Sequence, residues 1–186
     1  MGSYLNNVKK QYQFYRQLGE RAMAQVDDEA LFWQGGDDVN SIAILVGHIA
    51  GNMRSRWTDF LTSDGEKEWR DRDREFEPVI KSREELDMHW TAGWHCVLKA
   101  LDELTEDDLE RIVYIRNQGH TVIEAVNRQL AHYAYHVGQI VFICKMMSAK
   151  PWDSLSIPRN ESKSYNKSKF DLPKSRGHFT DEYLDS

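Results

Sequence analysis

Two histidines four residues apart, His132 and His136, carry the strongest chemical signal in the sequence. Four residues of an α-helix rise about 6 Å and turn by about 40°, so both imidazoles would project from one face and could bind one metal ion. The spacing alone is weak support, because seven histidines placed at random in 186 residues would give about 0.26 such pairs. A metal site therefore needs an independent third ligand.

His48 is the candidate for that ligand. It is the only strongly polar side chain in the apolar segment 42–51, and a helix that is apolar around its whole circumference is buried on most sides. Burial keeps an imidazole neutral, and neutral imidazole is the form that binds Zn²⁺, Ni²⁺ or Fe²⁺. Helical-wheel positions place the three histidines on corresponding flanks of two helices. Three ligands would leave coordination positions free for water or substrate, as in catalytic zinc sites.

The alternative is three core or boundary histidines that hydrogen-bond to backbone carbonyls or water, since no clear carboxylate partner lies in the same segments. Weaker candidates for orienting a ligand or lining a substrate pocket are Asn52, Gln129 and Gln139, each within one helical turn of a candidate ligand. None of the three is a general base at neutral pH. His120, at a helix start, could approach a substrate. We interpret Cys144 as a core thiol and expect His178 to be solvated.

Four helices are needed to position these side chains, and four segments show helical spacing of apolar residues with every proline outside them. Ser82 and Glu85 form a capping-box signature at the third. The predicted helices run from about Tyr4 to Val26, from Asn40 or Ser41 to Leu61, from Ser82 to Leu104 and from Thr121 to Ser148. Four such helices joined in sequence predict an all-α antiparallel four-helix bundle.

The connections have different compositions. Residues 27–40 are typical of a loop, and 11 of the 14 residues from 64 to 77 are charged, which predicts a long solvated connection with two aromatic anchors, Trp69 and Phe76. Residues 111–116 favour a short extended segment. We expect residues 1–150 to form the bundle with its metal site. Residues 151–186 would form an irregular extension that packs on the bundle and is not a separate domain.

Composition restricts the class of protein. The net charge of −6 argues against a nucleic-acid-binding protein dominated by phosphate neutralisation, and no apolar run reaches the length of a membrane span. Two cysteines argue against a disulfide scaffold and fit a reducing compartment. Because the beginning of the sequence also lacks the pattern of a secretory signal, we expect a cytoplasmic protein without nucleic-acid or membrane partners.

The segments around the histidines resemble the DinB-like superfamily, which includes YfiT-type metal-dependent hydrolases and thiol transferases. The second predicted helix reads Ser-Ile-Ala-Ile-Leu-Val-Gly-His-Ile-Ala-Gly-Asn-Met over residues 41–53, and the fourth reads Gln-Leu-Ala-His-Tyr-Ala-Tyr-His-Val-Gly-Gln-Ile over 129–140. Residues 63–66, 152–158 and 164–166 look like one uncharacterised branch of that superfamily. The resemblance covers about residues 4–166, and it implies a metal-binding triad of His48, His132 and His136.

The resemblance implies one divalent transition-metal ion, zinc or nickel first, with iron and manganese as alternatives. It also implies a transferase or hydrolase that activates water or a low-molecular-weight thiol toward a small-molecule substrate, as thiol S-transferases do. The alternative is a non-catalytic metal-binding or stress-response protein. Members of the superfamily often pair, so a homodimer is a further expectation.

Overall fold

A computed structural model describes residues 3–36 and 38–184, and this part of the chain is mostly helical. It contains seven α-helices, one β-hairpin and two short 3-10 turns, at 74–76 and 106–108. The helices are α1 (Tyr4–Met23), α2 (Asp28–Phe32), α3 (Ile42–Trp57), α4 (Arg83–Glu103), α5 (Val122–Met147), α6 (Ser162–Phe170) and α7 (Asp181–Leu184), and the strands are β1 (Ile112–Ile115) and β2 (Gln118–Thr121). No helix in this part of the chain is both long and apolar enough to cross a membrane.

A hydroxyl side chain caps the start of each of the four long helices. Ser3, Ser41, Ser82 and Thr121 each accept a hydrogen bond from the backbone N–H three residues later, which stabilises a helix by about 1 kcal/mol. The reciprocal half of the box predicted at Ser82 is absent, because the Glu85 carboxylate accepts from the N–H of Lys81 instead. Among the four long helices, the one with a complete capping box is α5, at Thr121.

The four long helices share one core, in which α3 packs mainly on α4 and α1 mainly on α5. Aromatic rings from all four helices meet at its centre. The centroid of the Tyr12 ring lies 5.7 Å from that of Trp57, 6.4 Å from that of Trp94 and 6.0 Å from that of Tyr133. Helix α3 is buried around most of its circumference, as its apolar sequence predicts. The ring of His48 is thereby held inside the protein.

Several boundaries differ from the predictions. Helix α3 ends at Trp57 rather than at Leu61, because Thr58 is extended and Asp59 adopts a left-handed backbone with φ 49°. The predicted loop 27–40 contains α2, whose start is capped by Asp27.

The extended segment predicted at 111–116 forms β1, which pairs in antiparallel register with β2, a strand that the sequence had not indicated. Arg116 and Asn117, both with positive φ, form the turn between the strands.

The charged connection before α4 is only partly the solvated segment predicted, since residues 71–74 are exposed but others are not. The side chains of Arg70 and Glu75 are only 1% and 9% exposed, whereas Trp69, predicted as an anchor, is 56% exposed. Apolar runs and apolar periodicity in the sequence do not reveal this burial, because the buried side chains are charged and neutralise one another.

The C-terminal extension is not wholly irregular, because it includes α6 and α7. Its apolar side chains are unequally covered: Leu155 is buried, Trp152 is half-buried and Phe170 is exposed. His178 is not solvated as predicted. Its Nδ1 lies 2.7 Å from the hydroxyl of the buried Thr180.

Candidate metal centre

Helices α3 and α5 bring three histidine rings together in the core. The Nε2 atom of His132 lies 3.4 Å from Nε2 of His48 and 3.1 Å from Nε2 of His136. His132 and His136 are one turn apart on α5 and therefore share a face, while His48 approaches from α3. His48 and His136 are buried, and His132 is half-buried. The three histidines are close enough to share one metal ion.

Hydrogen bonds on the far side of two of the rings determine which nitrogen faces the centre. Nδ1 of His48 lies 3.0 Å from Oε2 of Glu75, and Nδ1 of His136 lies 2.8 Å from Oε1 of Gln139. Both oxygens accept, so each Nδ1 carries the proton and each Nε2 presents a lone pair to the centre. Gln139 is itself oriented, since its Nε2 donates to the hydroxyl of Tyr135. This is the outer arrangement that fixes metal-binding imidazoles in proteins.

The surroundings favour neutral imidazoles. Burial, reinforced by the neighbouring His136 and His48, lowers the pKa of His132 to about 3. Burial also lowers the pKa of His136, although the hydrogen bond to Gln139 opposes the shift. Three imidazole rings whose Nε2 atoms face one another form a donor set that a divalent cation would complete.

The carboxylate beside His48 is held by an arginine. Arg70 donates from Nε to Oε1 of Glu75 at 2.7 Å and from Nη2 to Oε2 at 2.8 Å, a two-pronged ion pair. Although burial opposes the shift, hydrogen bonds from His48 and Arg70 lower the pKa of Glu75, so it remains a carboxylate. Arg70 also contacts Glu66, which pairs in turn with Arg56 at 3.0 Å. The charged connection thus forms a buried network that ends on His48.

Two further close approaches place Glu75 and Phe76 against α3. The ring of Phe76 stacks on His48 with centroids 4.5 Å apart. At Gly51, a Cβ atom would lie only 2.3 Å from Oε1 of Glu75. The absence of a side chain at Gly51 therefore lets the carboxylate lie close to the helix and reach the imidazole one turn earlier.

A cavity of about 220 Å³ adjoins the cluster, and both His48 and His132 line it. Two of the weaker predicted candidates, Asn52 and Gln129, line it as well. The Asn52 side-chain oxygen accepts a hydrogen bond from the Tyr133 hydroxyl at 3.0 Å. Apart from His120, the predicted candidate residues therefore belong to the ring cluster, contact it or line the adjoining cavity.

His120 is the predicted candidate that the structure does not bring to the cluster. It lies in β2, where its Nε2 is 3.2 Å from Nη1 of Arg128, and it is not among the residues that line the cavity. Its predicted position at a helix start is close to the observed one, since α5 begins two residues later.

The donor set fits a divalent transition metal. Two nitrogens bound tetrahedrally at about 2.0–2.1 Å are separated by about 3.3–3.4 Å, and the two Nε2 distances here are 3.4 and 3.1 Å. Imidazole nitrogens suit zinc, nickel, copper and iron better than calcium or magnesium, which prefer oxygen. Among the described residues, the side chains whose ligand atoms lie close enough together to hold one ion are these three histidines.

Sequence reasoning missed Glu75 and Arg70, the residues that orient His48. They are 27 and 22 positions away from it, and their types are the same as those of the surrounding solvated charges. The one available signal was Phe76, an aromatic residue in a charged run, which indicates that this part of the connection contacts the protein.

Comparison with known proteins gives a family without an assigned activity. Residues 1–161 match a family model described as protein of unknown function (DUF1572). A search of curated proteins found no match. The matched region includes the three histidines, Glu75 and the adjoining cavity. The chain therefore belongs to the DUF1572 family.

Proposed function

We propose that the protein is a divalent-metal-dependent transferase or hydrolase of the DinB-like, YfiT-type superfamily. In this proposal the four long helices α1, α3, α4 and α5 form the superfamily's four-helix bundle, and His48, His132 and His136 hold one metal ion. The observation that carries the proposal is the convergence of three Nε2 atoms from two helices, with Nδ1 of His48 and of His136 engaged by an acceptor.

Each part of the site has a role in this proposal. A bound divalent ion would supply Lewis acidity, which lowers the pKa of a thiol or water that shares the site. Glu75 and Gln139 keep the Nε2 lone pairs of two histidines directed inward. Phe76 and the buried face of α3 exclude water behind His48. The cavity beside His48 and His132 gives a small-molecule substrate access to the centre.

A reactive centre is favoured over a closed structural site. Structural zinc sites surround the ion with four protein ligands, usually including cysteine thiolates. The group found among the described residues has three histidines, and a cavity opens beside two of them. Three neutral nitrogens also favour zinc or nickel over metals that require oxygen donors, with iron and manganese as further candidates.

Metal content and turnover test the proposal together. Tag-free protein is loaded separately with zinc, nickel, iron(II) and manganese, and then assayed for conjugation of low-molecular-weight thiols to electrophiles and for ester hydrolysis. We expect one ion per chain and metal-dependent turnover. Changing His48, His132 or His136 to Ala should remove both the bound metal and the turnover. Circular dichroism should show that the helices remain.

The matched control is His95→Ala, which removes an exposed histidine on α4 and should change neither metal content nor turnover. Protein that binds none of the four metals would contradict the proposed site. One tightly bound ion without turnover of any thiol or ester would favour the alternative, a non-catalytic metal-binding or stress-response protein.

A further inference from the structure

The cavity beside the histidine cluster is strongly basic. Besides His48, Asn52, Gln129 and His132, its lining consists of five arginines: Arg56, Arg70, Arg72, Arg116 and Arg128. The protein as a whole carries a net charge of −6, so this concentration of positive charge runs against the overall composition. A low-dielectric recess lined by one sign of charge attracts ions of the other sign.

The carboxylates around the cavity do not balance its guanidinium groups. Glu66 pairs with Arg56, Arg70 and Arg116, and Glu75 pairs with Arg70. Asp73 is fully exposed and lies 4.0 Å from Arg72, and Asp64 accepts a hydrogen bond from the backbone N–H of Arg116. Four carboxylates therefore adjoin five guanidinium groups, so positive charge remains in excess, and Arg128 forms no ion pair with the part of the chain that the structure describes.

Two residues of the lining each contain a buried polar atom that has no hydrogen-bond partner within the described residues. The two atoms are Nε of Arg56 and Oε1 of Gln129, which belong to side chains of residues only 6% and 4% exposed. A buried polar group without a partner costs about 1–3 kcal/mol, and a ligand or water that supplies the missing bond removes that cost. Arg56 Nε can donate only, so its missing partner is an acceptor such as an anion oxygen. Gln129 Oε1 accepts only and needs a donor, which an anion oxygen does not supply.

We propose that this cavity binds the carboxylate or phosphate group of a small anionic substrate. The inference rests on the proposed function and adds the substrate class: the anionic group contacts the arginines while the rest of the molecule reaches His48 and His132. Guanidinium groups match carboxylate and phosphate oxygens with two parallel hydrogen bonds. Arg72, Arg116 and Arg128 are exposed, so they form the outer part of the site. A volume of about 220 Å³ suits a small molecule rather than a polymer.

Calorimetric titration with defined anions tests the inference. Inorganic phosphate and succinate are titrated separately into the full-length protein at low ionic strength, with the uncharged succinamide as the control ligand. Chelator-treated and nickel-loaded samples are compared, so that binding to arginine is separated from binding to the metal. We expect at least one of the two anions to bind both samples, and salt to weaken that binding because the charges are partly exposed. Succinamide should not bind.

Charge-matched triple variants locate the site. One triple variant changes Arg72, Arg116 and Arg128 to Gln, and the control triple variant changes three exposed lysines of the C-terminal extension, Lys163, Lys167 and Lys174, to Gln. The arginine variant should bind the anion about tenfold or more weakly, since each charge-assisted bond lost contributes to affinity. The lysine variant should bind like the wild type. Arg128→Gln alone, a change of one exposed side chain, should show a smaller loss in the same direction.

The outcomes separate this inference from the proposed function. Failure of phosphate and succinate to bind the wild type, or equal losses in both triple variants, would overturn the anion site. Nickel binding is measured on the same samples. The arginine variant should retain it, whereas His136→Ala, at the histidine of the cluster that does not line the cavity, should lose nickel and keep anion binding. Anion binding in a protein that takes up no metal would overturn the proposed function and leave the anion site standing.

Discussion

Replacing Glu75 with Gln should weaken metal binding without touching a proposed metal ligand. An amide can still accept from Nδ1 of His48, but its NH₂ group must then face the guanidinium of Arg70, which already donates to both carboxylate oxygens. Arg70 loses its principal counter-charge, and the group that accepts from His48 is no longer held in place by two hydrogen bonds from Arg70. Mutating such orienting partners lowers metal affinity by about 10–100-fold.

The same change should lower stability even without metal. Removing one member of a buried ion pair costs about 3–5 kcal/mol. Here the Arg70 and Glu75 side chains are 1% and 9% exposed. Arg70 retains Glu66 at 3.2 Å, so the lower end applies, about 3 kcal/mol. For a chain of this size, that loss lowers the melting temperature by about 6–12 °C.

The measurements are thermal unfolding of chelator-treated protein and competition for zinc against a chelator of known affinity. Glu77→Gln is the matched control, because it removes an equal charge from an exposed position two residues away. It should behave like the wild type in both measurements. If Glu75→Gln bound zinc with unchanged affinity, Glu75 would not orient the proposed ligand, and the role assigned to this network would be wrong.

Two further predictions concern a close backbone approach and the thiols. Gly51→Ala should weaken zinc binding by about tenfold, because its Cβ would displace the Glu75 carboxylate. The control is Gly138→Ala, because a Cβ at Gly138 would meet no atom within 4 Å. It should leave zinc affinity unchanged and raise the free energy of unfolding by about 0.5–1 kcal/mol. Equal zinc affinities in the two variants would contradict this reasoning. Burial raises the pKa of Cys144 to about 12, so at pH 8 a thiol reagent should modify only the half-buried Cys96 in native protein. Modification of two thiols per chain before unfolding would show that Cys144 is accessible.

The long helices could be predicted because each repeats apolar residues at helical spacing and begins at a hydroxyl residue. The positions of His48, His132 and His136 on two of these helices led to the prediction that they lie together, and in the structure they do. That they bind a metal stays a prediction. Short elements such as α2 and β2 carry no usable period, and β2 also lacks the run of β-branched and aromatic residues that indicated β1.

The orienting network and the basic cavity could not be predicted in the same way. Both depend on residues far apart in sequence, such as Glu75 with His48 or Arg128 with Arg72, that share no periodic relation. Charged runs are usually solvated, and nothing within residues 64–77 distinguishes the buried Arg70 from its exposed neighbour Arg72. Their separation into buried and exposed residues arises only when the connection folds back on α3.

Anomalous diffraction from zinc-loaded crystals tests the central claim most directly. The account predicts one anomalous peak per chain, with Nε2 of His48, His132 and His136 each at about 2.0–2.2 Å from it. Crystals of His48→Ala protein grown under the same conditions should lose the peak, and those of His95→Ala should keep it. A zinc ion bound elsewhere, or three histidines that remain without metal at saturating zinc, would contradict the account.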